Sequence, residues 1–425
     1  MKSRVAKIAG SVQEDSSEDN VQATSVARVR SQLRLFLYLI SGVADFSTFV
    51  VVFMVSRQMA EAGADQVHLG IAGAGLSLTS GIGSLSGGWL SQRFDGRKVF
   101  ITGASLICLS IAGCGIVDPG SPLFMACYWL IGIGMGWLYP PLIGWLNQGE
   151  DAHTNRQAVS RRLILFCVAW NVGMMCGQLT AGTLFDWGPD KAYLTSCLLA
   201  LANVVLTTIA VRWVKPLPAV PIELTQQTAE KSELANAFKR LSWLANMGGM
   251  FGASLVLYLL PGFVVHIGIS ADDHGKLLAA WRVVIIATYL LMHNAGFWHF
   301  RFATSLATQI LGACGLVVIS QAGSDVTLFI GLAMFGQLIG FNYFSGLFYS
   351  TAGSSNEKRA LAAGIHEATL AAGMSVGTLA GGKIGDLMGD REPYLFAAAI
   401  MLLLMIVQSA AWWRWVGSVR QNALH

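Results

Sequence analysis

Charge is what this sequence has least of. Only 12% of its 425 residues are Asp, Glu, Lys or Arg, against about 25% in an ordinary soluble domain. So little charge cannot keep a folded chain of this size in water. Several other signals are missing. There is no Gly-x-x-x-x-Gly-Lys-Ser/Thr loop, so ATP-driven work by this chain alone is not expected. No His, Asp or Cys cluster has metal spacing, and no metal or other cofactor is expected. The basic residues are scattered among short loops and the net charge is only +4, which gives nucleic acid no continuous patch to bind. The seven cysteines (Cys108, Cys114, Cys127, Cys167, Cys176, Cys197 and Cys314) all fall in apolar segments, where they read as buried free thiols rather than a disulfide framework. No short apolar core with a cleavage site follows Lys2, Arg4 and Lys7, so a cleaved leader is not expected.

What the sequence has is apolar length. It is 54% hydrophobic, its mean hydropathy is +0.55, and it contains 47 glycines, which let helix backbones approach closely in a bilayer. A spanning helix needs about 20 mainly apolar residues. Twelve segments qualify: 33–55, 68–91, 99–117, 122–146, 163–184, 192–211, 241–267, 275–297, 302–320, 326–350, 360–382 and 393–413. Residues 1–32 are polar and read as a disordered cytoplasmic tail, and 417–425 as a second tail. Residues 212–240, with Pro216, Pro218 and Pro221, read as a cytoplasmic linker between six-helix bundles over 33–211 and 241–416. With the N-terminus inside, 22 of the 28 Lys and Arg residues fall on the cytoplasmic side and five outside, leaving Arg282 within a helix. That asymmetry predicts cytoplasmic termini, in a cell or inner membrane.

The chain repeats itself. Segment five carries Gly173, Met174, Gly177, Leu179, Gly182 and Asp186; segment eleven carries Gly373, Met374, Gly377, Leu379, Gly382 and Asp386, each 200 residues on. The shared Met, Leu and Asp make chance a poor explanation. Between segments two and three lies Gly88-Trp89-Leu90-Ser91-Gln92-Arg93-Phe94-Asp95-Gly96-Arg97-Lys98. This resembles the loop signature of the major facilitator superfamily, Gly-x-Leu-x-Asp-Arg-x-Gly-Arg-Lys. Gly88, Leu90, Arg93, Gly96, Arg97 and Lys98 match by type. Gln92 replaces the signature's Asp, and Asp95 is one residue extra before the glycine. The resemblance implies an all-α integral membrane fold of twelve helices in two six-helix pseudo-repeats. It also implies that the loop gates the cytoplasmic face, where the missing Asp would steady the outward-facing state. Gly173-x-x-x-Gly177-Gln178-x-x-x-Gly182 resembles the helix-five signature of drug–proton exporters without its proline; a small-residue packing face between helices is the alternative.

Ionisable groups within spans are costly and point to function. Asp45, midway along segment one, can load and release a proton, or else hydrogen-bond a neighbouring helix. Arg282 cannot shed its proton, so it needs an anion: a substrate carboxylate or phosphate, Asp45 or Glu367; otherwise it snorkels to the surface. His366 and Glu367 are adjacent on a helix and point about 100° apart, so one cavity takes only one of them. Glu367 suits proton coupling better and His366 suits packing, although an ion bridge from Glu367 to Arg161 or Arg162 is open. Asn171, Gln178, Gln337 and Asn342 can line a cavity or bond across helices; His266 and His293 read as interfacial. Pro140-Pro141 and Pro261 should break or kink their helices, near which Trp137, Tyr139, Tyr258 and Phe263 can clasp a solute or simply pack. The expectation is a monomeric secondary transporter of a small organic solute, with Arg282 pointing to an anion and proton coupling through Asp45 and Glu367. An uncoupled facilitator, an exporter, an integral-membrane enzyme and a sensor are the alternatives.

Overall fold

The computed structural model describes residues 2–146, 156–213, 226–352, 354 and 359–422. The chain is built from long helices: α1 (Lys2–Glu61), α2 (Gln66–Arg93), α3 (Gly96–Ile116), α4 (Pro122–Leu146), α5 (Arg156–Phe185) and α6 (Pro189–Trp213). There follow α7 (Gln226–Ser254), α8 (Leu260–His266), α9 (Ala271–Asn294), α10 (Phe302–Ser320), α11 (Asp325–Ala352), α12 (Arg359–Met388) and α13 (Glu392–Asn422). A π-helical turn, Leu255–Leu259, joins α7 to α8, so the two make one crossing and the described residues hold twelve. Eleven are long and apolar enough to span a bilayer on their own. The twelfth, α12, has 30 residues but carries Glu367, Lys383 and Asp386; it packs along α2 and α7, which shelter it.

Packing sorts the helices into two bundles. In the first, α1 lies on α5 and α6, α2 on α4, and α3 on α4 and α6. In the second, α7 lies on α11, α12 and α13, α10 on α11 and α13, and α9 on α11. The bundles meet along two seams, α2 with α12 and α5 with α9. Glycine explains how closely. A side chain at Gly173 would strike the carbonyl of Gly42 on α1, and one at Gly177 that of Phe46. Their repeats behave alike: Gly373 meets the Met247 carbonyl on α7, and Gly377 that of Phe251. Gly182 lies against Ala271 and Gly275 of α9, while Gly382 lies against Gln66 and Gly70 of α2. The partner residues are therefore also repeats, 205 apart (42 and 247, 46 and 251, 66 and 271, 70 and 275). These glycines bring helices into close approach within each bundle and between the two.

Several boundaries differ from expectation. The tail expected to be disordered continues α1 back to Lys2: residues 2–32 hold no proline and only Gly10, so nothing interrupts the helix. Residues 226–240 of the expected linker begin α7, in a stretch rich in Ala, Glu, Lys and Leu, while its Pro216, Pro218 and Pro221 lie outside the described residues. The expected C-terminal tail is helical to Asn422, and residues 423–425 lie outside the described set. Helix α4 is not broken at Pro140-Pro141; it runs through both to Leu146. Pro261 does mark an irregularity. It occupies the first turn of α8 just after the π turn, where the Leu260 amide donates to the Leu255 carbonyl five residues back. A proline here has no N–H and crowds the carbonyl four residues earlier, and the wider turn relieves that crowding. All seven cysteines are free, but only Cys114 and Cys167 are buried as expected; Cys108, Cys127, Cys176 and Cys197 are half-buried and Cys314 is exposed.

Candidate functional site

Between the bundles lies a cavity of about 160 Å³. Asp45 reaches it from α1, Arg282 from α9 and Glu367 from α12. Three residues at least 85 positions apart in sequence thus converge, because α1, α9 and α12 all turn one face to the gap. Asp45 is 2% exposed and accepts a hydrogen bond from the Tyr139 hydroxyl, which also bonds the Ser41 carbonyl at 3.3 Å. Glu367 accepts one from Tyr343 on α11 at 2.9 Å. Each carboxylate is therefore held by a tyrosine of its own bundle. Arg282 is 3% exposed and does not snorkel. Its guanidinium lies over the rings of Trp281 (4.3 Å) and Phe49 (5.6 Å), and its Nε and Nη2 have no hydrogen-bond acceptor. Neither Asp45 nor Glu367 pairs with it.

Other expected residues are placed elsewhere. His366 turns away from the cavity, fully buried beside Tyr343 (5.4 Å between rings), with neither ring nitrogen bonded. Asn342 is not at the cavity: its side chain donates to the Ala245 carbonyl at 3.0 Å, tying α11 to α7. Gln337 likewise bonds the Thr308 carbonyl, and Asn171 bridges the seam to Tyr289 at 3.2 Å. Of the aromatic residues near the prolines, Tyr139 and Tyr258 line the cavity; Trp137 bonds Ser86, and Phe263 packs on Tyr394. His266 is exposed at a helix end, 3.5 Å from Asp390.

Contacts between the bundles lie on both sides of the cavity. On the face where α1 ends, polar contacts cross between bundles: Arg57 donates to the Ile269 carbonyl (2.9 Å), Gln66 to Asp390 (2.8 Å) and Thr183 to Asp272 (3.0 Å). Arg57 is oriented for this by Glu61, 2.7 Å away. Toward the face where α1 enters, Trp170 of α5 meets Tyr343 of α11 edge-on at 4.9 Å, and Gly88 of α2 lies against Ala360, Leu361 and Gly364 of α12. Sequence reasoning missed Tyr343, Trp170, Arg57 and Gln66. A tyrosine or tryptophan in an apolar helix carries no mark of which neighbour it faces, and Arg57 and Gln66 sit at span ends where polar residues are ordinary.

In the loop between α2 and α3, Asp95 turns to its own helix. Its carboxylate caps α3 by accepting from the Arg97 amide (3.0 Å) and grips the Arg97 guanidinium through Nε (2.9 Å) and Nη2 (2.7 Å). That hydrogen-bonded guanidinium holds the Asp95 carboxyl below its ordinary range. Asp95 thus serves its own loop and helix, Gln92 and Arg93 are exposed, and glycine packing at Gly88 forms the inter-bundle contact here. Gly96 opens α3, and Lys98 is exposed in its first turn.

The sequence model of the Major Facilitator Superfamily matches residues 37–355. The chain belongs to that superfamily. As a member it is a multi-pass membrane transporter, in a family of transporters rather than enzymes. No curated protein matches it in sequence. Solved transporters share its fold at low identity. The human organic anion transporter MFSD10 (TETRAN) aligns over 89% of this chain and 99% of its own, with TM-score 0.67 and 15% identity. PepTSo, of the POT family, aligns over 92% and 98%, with TM-score 0.71 and 12% identity. The proton:xylose symporter XylE aligns over 92% and 96%, with TM-score 0.65 and 14% identity.

Proposed function

We propose that this transporter carries a small organic anion by alternating access, coupled to protons through Asp45 and Glu367. The observation that carries the reading is a cavity between two pseudo-repeated bundles, lined by two tyrosine-bonded carboxylates and by an arginine that pairs with neither of them. Arg282 stays charged whatever the pH and supplies the anion's counter-charge. Asp45 and Glu367 exchange protons with whichever face the cavity opens to, and their tyrosines steady the form that remains. The basic loops favour the cytoplasm for the face where α1 enters, and on that reading the Arg57, Gln66 and Thr183 contacts lie on the outer side. Rocking the bundles about the α2–α12 and α5–α9 seams opens one side as the other shuts. A named organic anion transporter and a named proton symporter among the fold's relatives support the same assignment.

The test is solute-driven proton movement in proteoliposomes of the purified chain, with wild type and Asp45→Asn side by side across a small-molecule library. An anionic solute that moves protons in wild type, and binds but moves none in Asp45→Asn, bears the proposal out. Solute movement without a pH change, equal in both, makes Asp45 structural and the protein an uncoupled facilitator.

A further inference from the structure

We infer that the cavity is built for a monocarboxylate with a compact apolar body, about the size of one aromatic ring. This deepens the anion-transport reading and rests on it. Four observations lead to it.

The first is the number of positive poles. Among the described residues, Arg282 is the only basic one lining the cavity. The internal repeat shows what a second would have required. The residue 205 positions before Arg282 is Ser77, and the one 205 after Asp45 is Met250; both line the same cavity. The two bundles therefore offer equivalent places, and only one holds a cation. A ligand with two carboxylates would leave one of them facing Asp45 and Glu367 with no counter-charge.

The second is the arginine's unbonded edge. Nε and Nη2 of Arg282 are buried and lack acceptors. That same pair of nitrogens elsewhere in the chain takes a carboxylate, Glu61 at Arg57 and Asp95 at Arg97. A planar carboxylate fits this fork, and a neutral ligand leaves two buried N–H groups unbonded.

The third is the wall. Phe49, Trp170, Trp281, Met135, Met174 and Met250 give the cavity large apolar and polarizable surfaces. A sugar needs many hydrogen bonds across its whole perimeter; these walls supply few. The fourth is size. A cavity of about 150 Å³ takes a benzene ring, and this one is about 160 Å³.

The test uses benzoate, phthalate and benzyl alcohol as probes on the purified full-length protein, with affinities from isothermal titration calorimetry. Benzoate is expected to bind, with phthalate and benzyl alcohol weaker by roughly tenfold or more, the value of a charge-assisted hydrogen bond. Arg282→Lys, which keeps the charge but loses the fork, should weaken benzoate by a similar factor and leave benzyl alcohol unchanged. If that variant does not fold, the ranking on wild type decides alone. Failure of benzoate to bind, phthalate or benzyl alcohol binding as well as benzoate, or benzoate indifferent to Arg282→Lys overturns the inference. The two readings fail separately. Proton-coupled movement of a sugar or dicarboxylate would end this inference and leave a transporter, whereas benzoate binding without movement of any solute in proteoliposomes would end the transport reading and leave the site.

Discussion

Alanine at Gly182 or Gly382 should prise open the side of the transporter where α1 ends, the outer side on the proposed reading. The Cβ added at Gly182 would lie 2.8 Å from the Ala271 carbonyl oxygen and 3.1 Å from the Gly275 Cα, both on the other bundle. At Gly382 it would lie 2.6 Å from the Gln66 carbonyl oxygen and 3.3 Å from the Gly70 Cα, again on the other bundle. These neighbours are backbone and cannot rotate aside, so the helices must part. Overpacking of this kind costs about 1–3 kcal/mol. The clash exists only while the outer side is closed. Alanine's better helix propensity, about 1 kcal/mol over glycine, acts in both states and cancels from their ratio. The outward-open to outward-closed ratio should therefore rise about 5- to 150-fold for each variant. The two sites lie on different seams, so the double variant should show close to the product. Spin labels on Asp118 and Ser324, exposed in loops of the two bundles on that face, report the opening as a longer distance in pulsed electron resonance. Gly323→Ala is the control, because a Cβ there meets nothing within 4 Å. If both variants keep the parental distance distribution while the protein stays folded, glycine contact is not what sets the outer closure, and the account of the seams is wrong.

Arg57→Gln removes a cross-bundle hydrogen bond and should shift the same spin-label distance the same way, by about 1 kcal/mol. Glu367→Gln should abolish proton movement in proteoliposomes, whereas His366→Phe should keep it and leave the melting temperature level or higher, since a buried ring with two unbonded nitrogens is replaced by an apolar one. Asp95→Ala should destabilise the folded protein by about 1 kcal/mol through loss of the α3 cap, with the partly exposed Arg97 pair adding little. Because Arg97 lowers the folded-state pKa of Asp95, this stabilisation is complete above the unfolded carboxylate value, about 4, and fades as pH falls through the lower folded one. The melting difference between wild type and Asp95→Ala should therefore be constant near neutrality and vanish in strong acid.

The sequence by itself determined the solvent, the helices and the symmetry. A chain with 12% charge and twelve apolar runs can satisfy its backbone only as helices in lipid. The glycines at 173, 177 and 182 and their copies 200 residues on mark where a neighbour can come close, because a missing side chain matters only there. Asp45, Arg282 and Glu367 were legible for the same reason: a charge inside an apolar run has a cost that some partner or function must offset. Tertiary structure alone decided what those charges meet. Tyr139 and Tyr343 are ordinary residues in apolar helices until α4 turns one toward Asp45 and α11 turns the other toward Glu367. The same holds for Asn342, a polar residue within a span, which the packing of α11 on α7 commits to a backbone carbonyl instead of the cavity. Which face of a helix meets which neighbour depends on crossing geometry between segments hundreds of residues apart, and no local pattern of residues records it.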